Sequence, residues 1–303
     1  MNIVYRLPGL GVPPDTTLLS AKVMSRLAVA VEDHGLAGVA LDEHPAPPES
    51  WRAGGDGHDS LDPFVGLAAV AAATERIRLF VYATILPIRN PFLLAKSVAT
   101  LDVVSEGRLE LGLAGGYLPA ELEALGVGFD GRNAVFDENL ELLVKIWTGR
   151  PVSYKTERFD AVDVTAMPTP VQQPHPPLWF AGNSKRALRR VAEYGGGWMA
   201  LPNPRGRSVS RRTAPLETDE DLRALLSLLE GFWEENGHER AFDVATVVSA
   251  NPSSESSSSF ASRVDDLAAS GYTWINVSAG DTTETEALHT IEWLGEALHL
   301  RVA

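Results

Sequence analysis

Residues 77–116 read IRLFVYATILPIRNPFLLAKSVATLDVVSEGRLELGLAGG. The run Ile77 to Leu86 is apolar and rich in β-branched side chains, the pattern of a buried strand, and Pro87 and Pro91 break it. Leu93, Leu94, Ser97, Val98, Leu101 and Val104 then recur at helical spacing, and Gly107 supplies a stop. Leu109 to Leu113 is a second short apolar strand that ends in Ala114-Gly115-Gly116. A strand, a helix of this length and another strand make a right-handed parallel crossover. Chemistry in such units collects at the carboxyl ends of the strands. Thr84 to Asn90 and Ala114 to Leu118 therefore face one candidate site.

The same alternation runs outward in both directions. Upstream, strands are expected at Asn2 to Leu7 and Ala37 to Leu41, with helices at Leu19 to His34 and Phe64 to Thr74. Asp62-Pro63 suits the start of the second helix, because proline at the first helical position gives up no hydrogen bond. Pro13-Pro14-Asp15 reads as a loop, and Pro45 to Asp59 as a long polar loop placed to act as a lid. Downstream, strands are expected at Leu178 to Ala181, Trp198 to Leu201, Phe242 to Ala250 and Thr273 to Ser278. Helices alternate with them at Asn133 to Trp147, Ser184 to Tyr194, Thr218 to Asn236, Phe260 to Ala269 and Glu284 to Leu300. Ser153 to Pro174 reads as a hairpin excursion, and Arg205 to Thr213 as a loop with four arginines. Eight strands, each followed by a helix, predict a single α/β domain over residues 1–303: a (β/α)8 TIM barrel with a hairpin insertion near residues 150–176, after the fourth unit.

Composition narrows the function classes. Hydrophobic residues are 45% of the 303 and charged residues 22%, enough for a large core. A net charge of −14 argues against nucleic acid as a partner. Zero cysteines exclude disulfides and thiolate metal sites, and the histidines show no HxH or HExxH spacing, so no metal is expected. No apolar run is long enough to span a membrane, and MNIVYRLPGLG lacks the pattern of a signal peptide. The expectation is a soluble, cytoplasmic protein.

Several residues carry possible chemistry. Asp42, Glu43 and His44 end the second strand, where a histidine can move a proton near neutrality and a carboxylate can orient it. Gly182-Asn183-Ser184 ends one strand and starts a helix, an arrangement that offers amide groups to an anion; ordinary turn and cap chemistry explains it as well. Gly195-Gly196-Gly197 is a second glycine cluster of the same double meaning. The four arginines between Arg205 and Arg212 suit an anionic ligand tail or a solvated loop. Trp51, Tyr82 and Tyr117 are candidate walls of an apolar pocket.

The chain resembles the bacterial luciferase-like flavin oxidoreductases over nearly its whole length. The segments that carry the resemblance are DPFVGLAAVAAATERIRL from Asp62, LPIRNPFLLAKSVATLDVVSEGRLELGL from Leu86 and PLWFAGNSKRALRRVAEYGGGW from Pro177. The resemblance implies a (β/α)8 barrel that binds FMN or the deazaflavin coenzyme F420 at its carboxyl face, in a homodimer. It implies His44 as acid–base residue, with Glu43 taking that place and Asp42 beside it in an alternative register. It implies a non-prolyl cis peptide at Tyr82–Ala83 behind the coenzyme ring, with Thr84 near it. Gly115, Gly116 and Tyr117 would contact the coenzyme, and Gly182, Asn183, Ser184, Gly196 and Gly197, just before Trp198, would hold its phosphate. Luciferase itself has an arginine where this chain has Gly115, and many relatives have Gly-Asp-Gly-Trp where it has Gly-Gly-Gly-Trp. The first departure, with the short chain, is more similar to the deazaflavin branch. Hydride transfer with F420, oxygenation with FMN and non-enzymatic flavin binding are the three readings this leaves.

Overall fold

The computed structural model describes residues 1–8, 17–54 and 57–301; the expected Pro13 to Asp15 loop lies outside them. Eight strands form a closed parallel barrel, which we label β1 (Asn2–Arg6), β2 (Gly38–Leu41), β3 (Arg78–Ile85), β4 (Leu109–Ala114), β5 (Leu178–Ala181), β6 (Gly197–Met199), β7 (Asp243–Ser249) and β8 (Trp274–Ser278). Each strand pairs in parallel with the next in sequence, and β8 closes on β1 with Ile3 opposite Ile275. The hairpin insertion is present as antiparallel strands Val152–Lys155 and Asp160–Val164, after helix Arg132–Trp147 and before β5.

Strand alternation sorts the side chains into two cores. Phe80, Trp179 and Trp274 point inward with Val4, Ala40 and Met199 and plug the barrel. Leu79, Val81, Leu111, Phe180 and Ile275 point outward into the larger core under the helices. Helix starts follow the local chemistry of the sequence: Asp62 accepts from the amides of Phe64 and Val65, and Thr218 and Asp221 form a reciprocal capping box.

The run from Lys96 to Leu113 is held by its polar residues. Asp102, fully buried, accepts from the amides of Val171 and Gln172 at 2.7 and 2.9 Å and from the Gln172 side chain at 2.7 Å. Arg108 donates to the carbonyls of Ser105 and Ala71 and to the Thr74 hydroxyl. These two charges tie the segment after the hairpin, and the helix Pro63–Ala71, to the β3–β4 crossover.

Three expectations need correction. Arg205–Arg211 is a helix, not a loop. Gly196 and Gly197 stand at the amino rim of the barrel, because they open β6 rather than end it, whereas Gly182 follows β5 at the carboxyl rim. A phosphate cannot reach both. The glycines there answer to packing: a Cβ on Gly196 would stand 1.6 Å from the Leu178 carbonyl oxygen, and one on Gly197 2.2 Å from the Trp179 ring. Trp198, expected to accompany them at the coenzyme, is fully buried in the outer core and donates its indole N–H to Gly182 O at 3.0 Å. We therefore expect Gly196→Ala to cost about 3 kcal/mol or more through overpacking against backbone. Thermal melts of the two proteins, without ligand, test this; an unchanged Tm would contradict it.

Candidate active site

The residues that follow β2 and β4 meet at the carboxyl mouth. His44 Nδ1 lies 3.1 Å from Glu121 Oε2, and Glu121 also accepts from the Ala46 amide at 3.2 Å. The Tyr117 hydroxyl lies 3.4 Å from His44 Nε2. Trp51, in the short helix Glu49–Arg52, tilts over the imidazole with ring centroids 4.5 Å apart. A carboxylate only accepts, so in the first contact Nδ1 donates to Glu121, and Nε2 is the ring nitrogen beside the Tyr117 hydroxyl. Burial pushes the Tyr117 phenol up to about 12, so it is a neutral donor throughout the physiological range.

A second dyad stands beside the first. Asp42 pairs with Arg6, the last residue of β1, and accepts from His58 Nε2 at 2.5 Å. The His58 ring meets the His44 ring edge-on at 5.3 Å. Burial alone would raise the Asp42 carboxyl, but the His58 hydrogen bond and the Arg6 charge outweigh it and hold it at about 2. Asp42 is thus a permanent anion that pins Arg6 and the loop carrying His58.

Glu43 faces away from this cluster. Its carboxylate is 4% exposed, accepts from the Ile85 amide at 2.7 Å and pairs with Arg89, which also reaches Asp62. Both its oxygens are engaged in joining β2 to the end of β3, whereas the His44 ring stands with Glu121 and Tyr117.

The Tyr82–Ala83 peptide is cis, as the resemblance implies. A one-residue bulge accompanies it, since Val81 pairs with Leu111 but Thr84 with Leu113. Tyr82 and Ala83 both face the barrel interior as a result. Thr84 shares its side of the sheet with Leu113 and is buried toward the helices, which corrects its expected place at the coenzyme. Gly115 is open, with only Asn133 Oδ1 at 3.9 Å from where a Cβ would stand. Gly116 has φ +76° and its carbonyl accepts from Arg132.

The anion site expected at Gly182 to Ser184 is half occupied by the protein itself. Gly182 donates its amide to Met199 O at 3.4 Å and Asn183 to the Thr213 hydroxyl at 2.7 Å. Ser184 Oγ caps the helix Lys185–Tyr194 by accepting from Ala187, which leaves its own O–H to donate. The arginine segment is largely neutralised: Arg205 pairs with Asp221 and Arg212 with Asp130. Arg211 reaches the Tyr117 ring, its guanidinium 5.3 Å from the ring centroid.

Reading the sequence missed Arg6, His58 and Glu121. Glu121 lies 77 positions beyond His44, in the first turn of helix Pro119–Ala124, and only barrel closure brings the two together. Its one local sign is a carboxylate just past the glycines that end β4.

The luciferase-like monooxygenase family matches residues 4–294, and the chain belongs to that family. It is 33% identical over 181 residues to an uncharacterized protein of Mycobacterium tuberculosis H37Rv, covering 59% of this chain and 58% of that one. It is 31% identical over 196 residues to an uncharacterized protein of Sinorhizobium fredii, covering 65% and 54%. The matches thus span somewhat over half the length of these curated relatives. Among solved structures, the monooxygenase RslO1 of Streptomyces bottropensis is similar with TM-score 0.83 at 22% identity over 99% of both chains. The oxygenating constituent of the Pseudomonas putida 3,6-diketocamphane monooxygenase, in complex with FMN, gives 0.77 at 16% over 100% and 99%. An F420-dependent secondary alcohol dehydrogenase with an F420–acetone adduct gives 0.77 at 15% over the same shares. Identities this low show the shared fold.

The Asp42 cluster has a pH signature. Its folded carboxyl titrates near 2 against an ordinary 3.8, so its contribution to stability is complete above about pH 4 and is lost as pH falls toward 2. Asp42→Asn should remove roughly 2 kcal/mol of that acid dependence. Urea melts of both proteins between pH 2 and 5 measure it; parallel curves would show that Asp42 is not the group.

Proposed function

We propose that this protein is a deazaflavin-dependent oxidoreductase that moves a hydride between reduced F420 and the carbonyl carbon of a small organic substrate. The observation that carries the reading is the His44–Glu121 dyad, packed under Trp51 with Nε2 beside the Tyr117 hydroxyl. When bound, reduced deazaflavin supplies the hydride and supports no productive oxygen chemistry. His44 delivers a proton from Nε2 to the substrate oxygen as the carbon–oxygen double bond becomes single, and takes it back in the reverse direction. Glu121 holds Nδ1 and stabilises the imidazolium before the proton leaves. Tyr117 donates to the same oxygen without ionising, since its phenol is held protonated.

The chain's own groups suit such a coenzyme. Open Gly115 leaves room for a ring to approach the backbone, and Ser184 with its helix start suits an internal phosphodiester. Arg211 lies where an acidic tail would leave the mouth. Gly115 stands where luciferase has an arginine, which removes one charge partner for a terminal phosphate. The second reading is an FMN monooxygenase, favoured by the family's description and by the similarity to RslO1.

Titrating the purified protein with F420 and with FMN, then assaying each reduced complex for oxygen uptake, separates the two. Tight FMN binding with substrate-dependent oxygen consumption, and no F420 binding, would overturn the proposal. His44→Ala should lower turnover roughly a hundredfold or more with coenzyme affinity nearly unchanged. Glu121→Gln should lower it by about tenfold to a hundredfold, by analogy with other groups that orient a histidine. Steady-state kinetics check both, and equal turnover by either variant and wild type would exclude the dyad.

A further inference from the structure

The barrel plug ends in two polar groups that nothing among the described residues answers. Phe80 and Trp274 are its neighbouring rings, with centroids 6.1 Å apart, and Trp179 packs against both. One inward step further along each strand, toward the carboxyl rim, stand Tyr82 on β3 and Asn276 on β8. Asn276 is inward by the same alternation: Trp274 belongs to the plug, while Ile275 and Val277 belong to the outer core. Its backbone neighbours in register are Val4 and Val247, which offer it no side-chain partner. Asn276 is 2% exposed, and neither its amide nitrogen nor its oxygen has a hydrogen bond. The Tyr82 hydroxyl, also buried, has none either. The charged groups Arg6 and Asp42 pair with each other and with His58, and neither has a hydrogen bond to Asn276 or Tyr82.

Buried amides and phenols are almost always paired, and one left without a partner destabilises the empty fold. A leucine would fill the same volume among these apolar neighbours at no such cost. Burial pushes the Tyr82 phenol up, so its hydroxyl is a fixed donor. Together the two side chains present donor, acceptor and donor: Asn276 Nδ2, Asn276 Oδ1 and Tyr82 O–H.

We infer that Asn276 and Tyr82 read an imide edge, the acceptor–donor–acceptor face C(=O)–NH–C(=O) that ends the pyrimidinedione of flavin and deazaflavin rings alike. Asn276 takes the N–H and one carbonyl, and Tyr82 donates to the other. The assignment rests on the function proposed above only in requiring such a ring; it is indifferent to which of the two coenzymes supplies it. It also gives these residues a positioning role, since an edge held at the plug sets how far the ring slides toward His44.

The test uses the full chain, titrated with F420 and FMN, and with the 3-methyl derivative of whichever binds. Asn276→Leu should weaken binding about tenfold or more, Tyr82→Phe severalfold, and the ligand-free Tm of Asn276→Leu should hold or rise. Methylation at the imide nitrogen should weaken binding to wild type about tenfold but leave Asn276→Leu indifferent. Equal affinity of wild type, Tyr82→Phe and Asn276→Leu for the coenzyme would overturn the assignment. So would a methyl effect that persists in Asn276→Leu, or a fall in its Tm with affinity unchanged, the mark of a buried water's partner. Wild type that binds neither coenzyme sinks the proposed function and this assignment together. Wild type that binds one, with variants that match it, sinks this assignment alone.

Discussion

Parallel closure is the constraint from which the rest of this structure follows. All eight strands run the same way, so the barrel has one rim where strands end and another where they begin. Side chains that follow β1, β2 and β4 are collected at the first rim whatever their separation in the chain, which is how Arg6, Asp42, His44, Tyr117 and Glu121 become neighbours. The same rule sends Gly196 and Gly197 to the opposite rim, where with Trp233 and His238 they line a cavity of about 470 Å³ remote from the mouth. Two glycine clusters of equal local character thus have unrelated tasks.

The mouth is built from charge pairs that finish their business within the protein. Glu43 with Arg89 and Asp42 with Arg6 and His58 satisfy buried or half-buried charge locally, and Arg212 pairs with Asp130 at the exposed surface. Beside these pairs the carboxyl rim carries His44 with Glu121, the Tyr117 phenol, the Ser184 hydroxyl and the Arg211 guanidinium. Proton transfer and hydrogen bonding are the chemistry this set supports.

The run from Lys96 to Leu113, inside one of the segments that carry the resemblance, holds none of these groups. Asp102 and Arg108 spend their charges on backbone amides and carbonyls that close the hairpin segment and a helix onto the β3–β4 crossover. A buried carboxylate bonded by amides and a guanidinium bonded by carbonyls are hard to substitute, because any replacement strands several backbone groups at once. Asp102 and Arg108 thus serve to tie the barrel together.

By itself the sequence determined the barrel. The order of strands and helices, the hairpin after the fourth unit and the helix starts at Asp62 and Thr218 are local matters of apolar periodicity and capping, and periodicity survives without knowledge of distant contacts. Placing His44 at a strand's carboxyl end was likewise a local reading. The tertiary structure alone decided the partners and the directions. It turned Glu43 to Arg89, and it turned Thr84 outward through a single-residue bulge that resets the alternation. It folded the arginine run into the helix Arg205–Arg211. It brought Glu121 to His44 and left Asn276 unanswered inside the barrel. Each of these depends on groups tens of residues apart meeting at one rim, and a pattern read along the chain carries no information about which distant group will stand opposite.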